Sequence, residues 1–123
     1  MRKERNRMAE ARKRNGILAA CTATPKDLNV LIDYAADSVV SKTLVDKDPG
    51  TVTLFAFDAG QRLSEHTAPF DALVQITDGR AVVTIAGQEM TVAAGQVVIM
   101  PANIPHAVGG EERFKMLLTM IRA

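Results

Sequence analysis

Between residues 38 and 121 the chain is cut into short β-branched segments by turn signals at nearly even intervals, and this punctuation constrains the fold more than any other feature. Asp78-Gly79, Ala86-Gly87, Ala94-Gly95 and a 101–105 loop with a proline at each end make the breaks. Glycine enters positive φ at no steric cost, and proline has no N–H to give a ladder, so both belong between strands. Segments of about four to eight residues leave no room for long helices. About seven or eight such strands predict an all-β sandwich or small barrel.

Alternation assigns the faces. Residues 38–45 and 51–57 read as strands. In the second, Val52, Leu54 and Ala56 share one face while Thr53, Phe55 and Phe57 share the other, so neither face is polar and both call for cover. Residues 72–77 and 81–85 flank Asp78-Gly79, a dipeptide suited to a tight hairpin. Residues 114–121 set Phe114, Met116, Leu118 and Met120 against Lys115, Leu117, Thr119 and Ile121. With no Trp and 4% aromatic residues, the core has to be built from Val, Ile, Leu, Ala and Met, and this methionine stripe reads as core filling. Ahead of the strands, Thr24 can cap, Pro25 suits a first helical position, and Leu28, Leu31, Ile32 and Ala35 fall on one face. A short helix is expected over 25–35.

The N-terminal end differs in charge. Residues 1–15 carry a net +5 and the remainder a net −4, so a basic tail (1–23) precedes the folded domain (24–123). Residues 1–15 have no apolar stripe and are expected to pack little. They also lack interleaved aromatics or any recognisable binding module, so no nucleic-acid partner is expected. Leu18-Ala19-Ala20-Cys21 matches a lipidation box, but the apolar run before it is shorter than the ~7–15 residues a signal peptide needs. No stretch approaches the ~18–20 apolar residues of a membrane span. The single cysteine excludes an intramolecular disulfide and suits a reducing cytoplasm.

The two histidines of the chain occupy informative places. Gly60-Gln-Arg-Leu-Ser-Glu-His66 is followed by Ala-Leu-Val-Gln-Ile-Thr-Asp-Gly79, and Gly95-Gln-Val-Val-Ile-Met-Pro101-Ala-Asn-Ile-Pro-His106 comes later. These blocks resemble the two motifs of the cupin family, over 60–106 by motif and 38–121 by pattern. The resemblance implies an all-β double-stranded β-helix, a jelly-roll barrel opening at one end as a small cavity, here with a short N-terminal helix. In metal-binding cupins the first motif supplies two His and a Glu, and the second supplies a further His. His66 takes the first position and His106 the last, while Ala68 and Ala72 stand at the other two. The implied metal site is therefore incomplete, a weak divalent-ion site on His66 and His106. Asp71 lies beside the vacant Glu position, but alternation aims it at the opposite face. The Gly of the second motif is Asn103, which predicts a positive φ there.

Function is less constrained than fold. Besides the histidines, the inward positions inferred are Ala68, Ala72, Val74 and Ile76, which favours a small-ligand-binding protein with a cavity lined by His66, Ala68, Ala72, Val74 and His106. A small metal-assisted enzyme acting on a small polar metabolite and a non-catalytic dimeric scaffold are the alternatives, and no catalytic residue is assigned. Both faces of 51–57 and of 114–121 carry apolar residues, yet a barrel has one interior. A homodimer is therefore expected, as is common in the family, with residues 38–45 exchanged or paired across it.

Overall fold

The computed structural model describes residues 16–122. Its strands are β1 (Val39–Lys47), β2 (Gly50–Phe57), β3 (Arg62–His66), β4 (Asp71–Ile85), β5 (Gln88–Ala93), β6 (Val97–Met100), β7 (His106–Gly109) and β8 (Phe114–Ile121). They make two layers that share β4. One layer runs β1-β2-β8 onto the first half of β4, which also pairs β6. The other runs β3-β7 onto the second half of β4, which also pairs β5. Every pair is antiparallel, and one core cluster joins Phe57, Val74 and Met116 of the first layer to Val83, Val92 and Val108 of the second. The jelly-roll architecture is as expected.

Alternation in the sequence does not pick out β3 or β7, and the turn signal at Asp78-Gly79 splits β4. Asp78-Gly79 is not a hairpin: β4 runs through it without reversing. The partners of β8 step from Ile76↔Met116 to Asp78↔Lys115, so Thr77 is an extra residue, a β-bulge. Its effect is on parity. Ala72, Val74 and Ile76 are buried before it, and Ala81 and Val83 after it, so the inward set changes from even to odd numbers. A long strand can thus line both layers with apolar side chains while bending between them. Gly79, at φ +70, sits where a Cβ would collide with the Arg113 carbonyl oxygen, so the close approach of β8 is what demands glycine there. Phe57 and Phe114 stack beside it at 4.3 Å between ring centroids and fill this closed end.

The expected 25–35 helix does not form. Residues 27–31 make a single turn, with Val30 and Leu31 N–H donating to the Asp27 carbonyl, and among the described residues the only helical element is a 3-10 turn at Ala19–Cys21. A helix this short is marginal by itself. The carbonyls it would consume are taken by side chains from the sheet: Lys115 Nζ donates to Asn29 O at 2.5 Å and Lys42 Nζ to Leu31 O at 2.6 Å. Asn29 Nδ2 donates to Thr77 O, and the Tyr34 hydroxyl donates to Asp78 Oδ2 at 2.5 Å. Residues 28–37 become a strap across the outside of β1, β2 and β8. Beneath it Ile32 is buried with Leu54 and Ala56, against Leu31, Tyr34, Val40 and Leu117. The second apolar face of β2 is therefore covered from within the chain over this half.

Residues 16–18 also lie on the barrel. Ile17 bridges Val45, and Asp46 N–H donates to Gly16 O at 2.8 Å. The expectation that residues 1–15 pack little falls outside the described residues. No described helix is long and apolar enough to cross a membrane.

Candidate functional site at the barrel mouth

His66 ends β3 and His106 begins β7, and the two are direct partners across the ladder. Simple alternation would not bring their rings together. Leu63 packs on the core opposite Val108, and a residue three further on would point outward. Between them Ser64 and Glu65 face only Ala107, a second bulge that restores His66 to the inner side. Leu63 and His66 share a face only because of that extra residue.

The rings meet edge to face, 4.4 Å between centroids, with Nε2 to Nε2 at 3.2 Å. Each Nδ1 lies against a backbone carbonyl two residues back, His66 on Ser64 O at 2.7 Å and His106 on Ile104 O at 3.0 Å. A carbonyl can only accept, so both Nδ1 atoms carry hydrogen, and in the neutral ring both Nε2 atoms then present lone pairs. Two lone pairs aimed at one point repel unless a proton, a water or a metal ion serves both. His106 is buried at 3% exposure, whereas His66 opens to solvent. Burial pushes the His106 pKa below its usual value, and the neighbouring His66 charge acts the same way against the Ile104 carbonyl.

The loop that delivers His106 is fastened at several points. Asn103 adopts φ +64, as its place in the motif predicts, and its N–H donates to Ala68 O at 2.7 Å. Ala102 N–H donates to Asp71 Oδ1 at 2.8 Å, and Ala86 N–H to Pro105 O at 2.9 Å. Asp71 thus points outward, as alternation requires, and its carboxylate holds the loop. Ala72 and Val74 face inward within the packed core, cross-strand from Met100 and Val98. Ala68 contributes its carbonyl to the loop. The structure brings the two histidines together, with Ala68 tied to the loop that carries one of them.

The geometry suits two neighbouring ligands of one ion. Two nitrogens at about 2.0–2.1 Å from a tetrahedral centre lie roughly 3.3 Å apart. Among the described residues, no group of three or more His, Cys, Asp or Glu side chains converges to complete such a site. The residues present fit a weakly held divalent ion and do not fit a tightly resident one. A separate open groove of about 580 Å³ runs over the outer face of the β3-β7-β4 layer, bordered by Arg62, Ser64, Glu65, Thr84 and Glu89, and includes neither histidine.

The family model described as cupin domain matches residues 53–121. This chain belongs to the cupin family. Among solved structures, the cupin is similar to a conserved protein of unknown function from Streptococcus pyogenes, at 39% identity and TM-score 0.79, over 82% of this chain and 89% of that one. It is also similar to a cupin superfamily protein from Desulfitobacterium hafniense, at 34% identity and TM-score 0.76, over 80% and 90% of the two chains. A cupin 2 conserved barrel domain protein from Leptotrichia buccalis matches at 39% identity and TM-score 0.77, over 79% of this cupin and 47% of that chain. No curated protein matches it significantly.

Proposed function

We propose that this cupin is a small-ligand-binding protein whose ligand is held at the barrel mouth by His66 and His106, through a weakly bound divalent ion. The observation that carries the reading is the convergence of two bare Nε2 atoms at 3.2 Å, each ring fixed by its own Nδ1 contact. The two imidazoles would hold such an ion through Nε2, and it would supply Lewis acidity for oxygen donors of a small carboxylate or hydroxy compound. Depressed basicity at His106 favours this at neutral pH, since fewer protons compete for the nitrogen. Ala68, tied to the loop that carries His106, is the apolar neighbour proposed for the ligand, while Ala72 and Val74 lie in the packed core and are not offered to it.

Calorimetric titration with zinc tests the reading. Binding in the micromolar range or weaker is expected, lost in both His66→Ala and His106→Ala, with a carboxylate chelator binding only when zinc is present. Zinc binding that survives both substitutions would overturn it.

A further inference from the structure

The groove over the outer face of the β3-β7-β4 layer has a simple cause. Strand β7 offers that face only Ala107 and Gly109, while β3 and β4 stand on either side of it. Arg62 and Val82 flank Gly109, and Thr84 flanks Ala107. A trough of about 580 Å³ runs along β7 as a result. The charges around it are unbalanced. After residue 15 the chain has four glutamates, and three of them, Glu65, Glu89 and Glu111, border this trough in exposed positions. The fourth, Glu112, is paired with Arg80, and nearby Asp58 is paired with Arg113. Among the described residues, none of the three trough carboxylates has an ion-pair partner, and of the residues lining the trough only Arg62 offsets them.

We propose that this trough is the docking site of the chain's own basic segment, residues 1–15. Charge selects the occupant. The segment carries seven Lys and Arg against two Glu. Five of the seven are arginine, which binds a carboxylate through two parallel N–H donors. The anchor point suits the same side of the barrel. The Gly16 carbonyl accepts from Asp46 N–H, and Ile17 bridges Val45, so the segment leaves from the outer edge of β1. Strand β2 passes into β3 over residues 58–61, and β7 into β8 over 110–113, which puts β1 and β3 on one side. A chain of this length reaches at most about 50 Å, against a radius of gyration of about 13 Å for such a domain. It can therefore round the β3 edge and lie in the trough. The carboxylates nearest its root compete poorly, because Lys47 stands between Asp46 and Asp48, and Arg122 Nη1 donates to Lys47 O. Docking of this kind needs no apolar stripe. It is electrostatic, and it weakens as salt screens it.

Limited trypsin digestion of the full chain is the test, with mass spectrometry following cleavage before residue 16 and a free peptide of the same sequence correcting for the protease's own salt response. Cleavage should be about fivefold slower at about 20 mM salt than at about 500 mM, where the Debye length is below about 5 Å. Glu65→Gln, Glu89→Gln and Glu111→Gln together should abolish that protection, whereas Asp48→Asn should leave it unchanged. All three glutamates are exposed, so the thermal transition should hold; should the triple variant lower it, Glu65→Gln and Glu89→Gln taken singly should each remove part of the protection. Cleavage at the free-peptide rate in low salt would overturn the assignment. So would protection that survives the three glutamines, that is lost in Asp48→Asn, or that rises with protein concentration and so comes from a neighbouring copy.

Discussion

Replacing Gly79 by alanine tests the corner on which the two layers depend. The residue sits at φ +70, which costs an L side chain about 1–2 kcal/mol. Its new Cβ would also meet the Arg113 carbonyl oxygen and Phe114 Cα, both backbone atoms of β8 that cannot rotate away. Forcing those strands apart adds about 1–3 kcal/mol by the usual scale of overpacking. The expected loss is about 2–5 kcal/mol, or roughly 10–30 °C in melting temperature for a domain of this size. Gly87→Ala isolates the first contribution. That glycine has φ +81, yet nothing lies within 4 Å of its built Cβ, so about 1–2 kcal/mol is expected. Urea denaturation with matched m-values reads the difference. Equal losses at the two sites would refute the claim that contact with β8 is what fixes glycine at the corner.

Three further outcomes follow from the packing and the charges. Ile32→Ala should cost about 2–4 kcal/mol in the same urea assay, because this 4% exposed side chain anchors the strap. Burial, the Asp78 hydrogen bond and its charge raise the Tyr34 pKa. Since Tyr34 is the only tyrosine, absorbance at 295 nm should show no phenolate through pH 10–11 while the protein stays folded, about the pH at which a free tyrosine titrates. His106 has a folded pKa below its unfolded value, so the folded state binds fewer protons between the two. Its stability contribution is complete above about pH 6.5 and is lost as pH falls toward the folded pKa, and His106→Gln should flatten that acid-side decline in melting temperature.

Most strand positions and inward faces were legible in the sequence because alternation and Gly/Pro punctuation act locally. Phe55 and Phe57 against Leu54 and Ala56, and the Met116 and Leu118 stripe, fall where that pattern puts them. The bulges were not legible, since each depends on what the partner strand does. Asp78-Gly79 has the chemistry of a hairpin, and only the pairing of both β4 halves with other strands keeps it extended. The 25–35 segment shows the same limit: its stripe is amphipathic, but Lys42 and Lys115, distant in sequence, take the carbonyls a helix would use. At the site, motif spacing named His66 and His106, and the positive φ of Asn103 was readable from its place in the motif. The inward turn of His66 rests on the Ser64-Glu65 bulge, and the loop-holding role of Asp71 rests on a backbone donor that no side-chain pattern reveals.

The direct test of the histidine pair is a long-range nitrogen–proton NMR spectrum of the imidazoles during zinc titration near pH 7.5. With only two histidines in the chain, every ring nitrogen can be assigned. Both Nε2 resonances should move together on zinc addition while both Nδ1 atoms keep their hydrogens against Ser64 and Ile104 carbonyls. Unmoved Nε2 resonances, or a shift confined to one ring or to Nδ1, would contradict an ion held between the two rings.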